Sequence, residues 1–180
     1  MHISRVIGGI GLASCVLAFA GIARAGTATV VDPAAPASVS VVYEHPGQFS
    51  EARESRFSQD VDHDYLQTLR TFLVRRATPM LQPGEHLTIT FTNVKLAGSY
   101  EPWRGPLWQD VRFMRDIYPP RFDFSFRLTG PDGVLVREGT RKLTGLGYLY
   151  TLPPATGTSG PLHYDKALLA QWLRRGPQRW

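Results

Sequence analysis

Phe122, Phe124, Phe126 and Leu128 alternate strictly with Asp123, Ser125, Arg127 and Thr129. A segment of that period settles as a strand with one face on a core and the other in water, so this chain must build a sheet and cover one side of it. Leu87, Ile89 and Phe91 repeat the pattern against Thr88, Thr90 and Thr92, and Val39, Val41 and Tyr43 alternate with Ser40 and Val42 as a first strand. After the phenylalanine run, Gly130-Pro131-Asp132-Gly133 reads as a hairpin turn into a strand from Val134 to about Leu143, which predicts antiparallel pairing. Val111 and Phe113 add a short strand.

Helical periodicity supplies the cover. From Ser58 onward Val61, Tyr65, Leu69, Phe72, Leu73 and Ala77 recur at helical spacing until Pro79 and Pro83-Gly84 stop the run. Tyr164, Leu168, Leu169, Trp172 and Leu173 give a final amphipathic helix, stopped by Gly176-Pro177. Pro153 to Gly160 reads as a flexible loop, and there is no internal repeat. The expectation is a single α+β domain over residues 39–176, with a mainly antiparallel sheet of about four or five strands and two amphipathic helices packed against it. Residues 26–38, with Pro33 and Pro36 among alanines and threonines, read as a tether, and 177–180 as a short tail.

Residues 1–25 read as an export leader. Arg5 gives a positive start, Val6 to Ala20 an apolar run, and Ala23-Arg24-Ala25 the small residues a signal peptidase recognises, with cleavage between Ala25 and Gly26. A membrane span would need roughly 20 mainly apolar residues, whereas this run carries Gly8, Gly9 and Gly11 and then meets Arg24. The alternative is a lipoprotein anchored at Cys15, because Leu12-Ala13-Ser14-Cys15 resembles a lipobox. Against it, the apolar run continues through Val16 to Ala20. Cleavage after Ala25 leaves 155 residues for one core, removes Cys15, the sole cysteine, and lowers the formal charge from +5 to +3. The mature chain then has no disulfide, thiolate nucleophile or cysteine metal site, no stable membrane span, and a periplasmic or secreted location.

The segment Tyr100-Glu101-Pro102-Trp103-Arg104-Gly105-Pro106, with Asp110-Val111-Arg112, Asp116-Ile117-Tyr118-Pro119-Pro120-Arg121 and the alternating strand after it, resembles domain-of-unknown-function family 3016. Tyr164 to Arg175 resembles the closing helix of that family, and the likeness spans most of Val39 to Arg175. The resemblance implies an exported protein of Gram-negative bacteria with no assigned activity. It also implies acidic residues before Leu96-Ala97-Gly98 and near the hairpin's end, where this chain has Asn93, Lys95 and Gly145.

Catalytic and metal motifs fail on inspection. Asp60, Asp62, His63 and Asp64 suggest a calcium loop, but Tyr65 and Thr71 stand where glycine and a bidentate glutamate belong, so acids favoured by a helix dipole explain them. His45, His63, His86 and His163 are dispersed and form no metal spacing. Gly157-Thr158-Ser159-Gly160 is no nucleophile elbow, and Gly145-x-Gly147 lacks the third glycine of a dinucleotide fingerprint. No metal, cofactor or catalytic residue is assigned. Glu101, Asp110 and Asp116 could pair for acid–base chemistry, though salt bridges to Arg104, Arg112 or Arg115 explain them equally well.

Residues 100–121 are the one stretch that invites a function. Tyr100, Trp103, Trp108 and Tyr118 stand among Arg104, Arg112, Arg115 and Arg121, mixing stacking faces with forked cationic donors. The mixture suits sugars, anionic glycans, lipid phosphates or a partner's carboxylates. It suits equally a loop folded over the sheet with tryptophans as plugs, and this packing role weighs more heavily because loops rich in proline and aromatics often pack. Nucleic acid is not expected as a partner at so small a net charge. The functional expectation is a non-catalytic domain that binds an envelope ligand or protein partner through this loop; the alternative is a hydrolase acting on a cell-envelope polymer with loop carboxylates.

Overall fold

The computed structural model describes residues 36–54, 64–150, 160 and 162–180. The leader with Cys15, the tether up to residue 35, the cluster Asp60, Asp62 and His63, and the Gly157-Thr158-Ser159 stretch lie outside the described residues. Along the chain run β1 (Ser38–Tyr43), α1 (Ser50–Glu54), α2 (Tyr65–Ala77), β2 (His86–Lys95), β3 (Ser99–Tyr100), β4 (Arg112–Phe113), β5 (Arg121–Thr129), β6 (Leu135–Thr144) and α3 (His163–Leu173).

The main sheet has the order β1-β2-β5-β6, and β3 and β4 form a separate two-stranded ribbon. The predicted hairpin is present, with β5 and β6 antiparallel and Gly133 at a φ of 75° inside the turn. β2 and β5 are antiparallel as well. The expectation of a mainly antiparallel sheet is corrected at β1, which lies parallel to β2 with Val41 opposite Ile89. The cause is connectivity: α1 and α2 intervene between the two strands, and a crossover through helices returns the chain in the same direction. The sheet is therefore mixed within an α+β domain. A third helix, the five-residue α1, joins the two expected.

One face of the sheet is the core. Leu87, Ile89, Phe91 and Val94 of β2 and Phe122, Phe124, Phe126 and Leu128 of β5 are buried against Leu69, Phe72 and Leu73 of α2 and Leu169, Trp172 and Leu173 of α3. Within α2, Arg75 and Arg76 occupy the last turn as the dipole favours; Asp64 stands at the N-cap position without a side-chain capping bond. Past α3, Gly176 turns the chain back at a φ of 76°, and Trp180 enters the core.

The opposite face is polar, and a bulge extends it. The pairing shifts register between Phe91 and Asn93, so Thr92 is an extra residue. In a regular strand, without that bulge, Asn93 and Lys95 would share the core face with Phe91. With it, Val94 stays in the core opposite Phe122, while Asn93 and Lys95 join Asp123 and Arg121 on the polar side.

Candidate functional site

The site begins where β2 ends. The turn Leu96-Ala97-Gly98 carries the chain out of the sheet and into the loop, and every backbone N–H in it has a partner from a different element. Leu96 donates to Glu51 Oε2 of α1 at 2.9 Å, Ala97 to Asp165 Oδ1 of α3 at 3.0 Å, and Gly98 to the Tyr118 carbonyl at 3.0 Å. The carbonyls are met by cations. Lys95 Nζ donates to the oxygens of Leu96 at 3.0 Å and Gly98 at 2.6 Å, and Arg112 to those of Ala97 at 3.3 Å and Gly98 at 3.4 Å. Arg112 closes an ion pair with Glu51, and Lys95 another with Glu54 at 2.9 Å. Gly98 has a φ of 80°, and a Cβ there would stand 2.9 Å from the Phe113 oxygen, so glycine is required where β4 passes this close.

Glu51 and Asp165 are buried, yet both serve the backbone. Burial pushes the Asp165 carboxyl up to about 7; the Ala97 and Asp165 N–H groups and the Arg112 charge oppose that rise, and the Glu51 charge adds to it. A carboxyl raised in this way binds a proton on folding. The stability it contributes is fully present below its ordinary value of 3.8 and is lost as pH rises through about 7. Asp165→Asn keeps the acceptor for Ala97 but cannot titrate. The wild type should therefore lose stability relative to this variant between about pH 4 and pH 7, by on the order of a few kcal/mol, with no further divergence above. Denaturant titrations of both proteins across that window check it, and parallel profiles would contradict it.

A third buried carboxylate holds the loop itself. Glu101 pairs with Arg104, accepts from the Tyr118 hydroxyl at 3.0 Å, and lies 3.3 Å from Arg115 Nη1. Burial favours its neutral form, but bonds from Arg104 and Tyr118 and the Arg115 charge outweigh that and hold the carboxyl below its usual range. The Arg104 guanidinium also stacks over Phe113 at 4.8 Å, and Arg112 lies over Tyr100 at 4.6 Å.

The eight loop residues singled out in the sequence thus separate. Arg112 lies over the Tyr100 ring and pairs with Glu51, and Arg104, Arg115 and Tyr118 converge on Glu101. The tryptophans do not act as plugs. Trp103 is 72% exposed and Trp108 is 47% exposed, beside Leu107 at 91% and Ile117 at 69%. Arg121 leaves the group altogether. With Tyr118 it lines a cleft of about 420 Å³ that also takes in Glu54, Asn93, Lys95, Asp123 and Lys142. The sequence pointed to neither Glu51 nor Asp165, because their partners lie 45 and 68 residues away. Among the described residues no three His, Cys, Asp or Glu side chains gather in a way that could hold a metal ion, and no helix is long and apolar enough to cross a membrane.

Fold and site together define a two-layer α+β domain with one open polar sheet face and a loop braced on buried carboxylates. The chain belongs to the family described as protein of unknown function DUF3016, whose profile matches residues 37–175. No curated protein matches the chain. Among solved structures it is similar to a dodecamer of a single-substitution variant of PelC from Paraburkholderia phytofirmans, at 12% identity and a TM-score of 0.39, over 78% of this chain and 83% of that one.

Proposed function

We propose that this protein is a non-catalytic binding domain of the bacterial envelope, exported by the leader at 1–25, and that residues 100–121 engage an envelope ligand or a protein partner. The observation that carries the reading is the division of labour inside the loop. Arg104, Arg112 and Arg115 are spent on Glu101, Glu51 and the backbone, which fixes the chain path, while Trp103, Leu107, Trp108 and Ile117 are left in water. A braced loop that exposes large apolar side chains is arranged to bury them against something else, each worth about 1.5–3 kcal/mol on full burial. Rigidity lowers the ordering cost of that step. The same bracing disfavours hydrolysis, because Glu101 is consumed by three donors.

A photo-crosslinking residue placed at Leu107 in the native host tests this. It should give one discrete adduct that Trp103→Ala abolishes, while folding stability stays within about 0.5 kcal/mol because the site is exposed. An adduct equally strong from Glu138 on the sheet, or none from Leu107, would refute the assignment. Turnover of an envelope polymer that disappears in Asp110→Asn would replace binding with catalysis.

A further inference from the structure

We propose that the cleft bounded by α1, Ile117–Pro119 and the ends of β2, β5 and β6 binds a small hydroxylated anion, a sugar-like framework bearing one carboxylate or phosphate group. The proposal rests on the reading of residues 100–121 as a binding element, of which Tyr118 and Arg121 form the root, and gives that root a ligand of its own. Strand register lays out the floor. Lys95, Arg121 and Thr144 stand in one row across β2, β5 and β6, and Asn93, Asp123 and Lys142 in the next. The bulge at Thr92 turns the β2 members of both rows outward. The cleft, at about 420 Å³, falls in the size range of small-molecule sites.

The chemistry of the lining selects the ligand. Lys95 is spent, its ammonium bonded to two carbonyls and to Glu54. Arg121 and Lys142 are exposed, and among the described residues neither pairs with a carboxylate. Two cations with open donors flank one floor and call for an anionic group between them. Glu54 and Asp123 can only accept, so the ligand must also donate, and hydroxyls beside the anion do that. Asn93 uses its oxygen on the Ser50 N–H at 2.8 Å, which leaves its amide hydrogens to donate into the cleft. Ile117 and Pro119 offer apolar contact to the C–H face of a ring. A bare anion would meet Asp123, and a neutral sugar would leave both cations unanswered.

Titration of the purified full chain with galacturonic acid, glucose 6-phosphate, glucose and inorganic phosphate, followed through backbone amide shifts, tests the assignment. One of the two sugar acids should bind at least about tenfold more tightly than glucose and phosphate, with shifts at Asn93, Asp123 and Lys142. The better of the two tells carboxylate from phosphate. Arg121→Gln with Lys142→Gln should weaken it roughly tenfold or more, Lys142→Gln alone by less, and added salt should weaken it too. Trp103→Ala should leave this affinity unchanged, so failure of the exposed loop and failure of the cleft are told apart. Equal binding of glucose, an unchanged affinity in the double variant, or no shifts at roughly tens of millimolar would overturn the proposal.

Discussion

Glu51→Ala should remove about 3–5 kcal/mol of folding stability and lower Tm by on the order of 10 °C or more. Glu51 is buried; one oxygen takes the Leu96 N–H at 2.9 Å and the other pairs with Arg112. Truncation strands both partners. The Leu96 N–H is left without an acceptor, and the Arg112 guanidinium, only 19% exposed, keeps a charge with no carboxylate beside it. The penalty comes from those orphans more than from the lost attraction, so it should shrink when the second partner is removed too. In the double variant Glu51→Ala with Arg112→Ala, the combined loss should fall short of the sum by about 1–3 kcal/mol. Chemical denaturation of the four proteins in the cycle measures it. Strict additivity would mean that the two side chains do not sense each other, and a loss below about 1 kcal/mol in Glu51→Ala would mean that water reaches the site.

This network also shows what a single sequence can display. Period-2 patterning located β5 to within one residue, missing only Arg121 at its start, because Phe122 to Leu128 answer only to local geometry and burial. The same logic lost the end of β2. The alternation Leu87, Ile89, Phe91 breaks at Thr92, and the extra residue shifts the buried position to Val94, so a strand reaching Lys95 looks finished at Thr92. The direction of β1 was legible in principle, since a strand, a helical run and a second strand are the parts of a parallel crossover. α1 was not legible, because five residues are too few to show a helical period. In the loop, composition singled out residues 100–121 but could not divide them. Whether an arginine faces solvent or a buried glutamate depends on Glu51 and Glu101 reaching it: Arg112 meets Glu51 across 61 residues, which no local pattern displays, whereas Arg104 meets Glu101 at a local spacing of 3. The tryptophans show the converse. Their size suggested packing, whereas Trp103 and Trp108 stand in solvent.

Trp180→Ala should lose about 3–5 kcal/mol, a large effect for a residue beyond the last α-helix. Gly176, at a φ of 76°, reverses the chain after α3, and the turn Pro177–Arg179 delivers Trp180 to the sheet. Its indole stacks on Trp172 with ring centres 5.2 Å apart and meets Phe126 edge-on at 6.3 Å. Its Nε1 donates to the Leu173 carbonyl at 3.2 Å, and its own carbonyl accepts from Arg137 Nε at 2.9 Å, tying α3 to β6. Alanine keeps the backbone bond and empties the ring's volume beside Trp172. Among the described residues the buried Trp172 Nε1 has no hydrogen-bond partner, so a water admitted to the cavity would bond it and recover part of the loss. Trp180→Phe fills most of the volume and sacrifices only the bond to Leu173, and should cost about 1–2 kcal/mol. Urea unfolding followed by far-ultraviolet circular dichroism separates the cases: the midpoint should drop sharply in Trp180→Ala, modestly in Trp180→Phe, and the slope should stay constant in both. If both variants unfold with the wild type, Trp180 does not close the core, and residues 177–180 are the loose tail that their position in the sequence suggests.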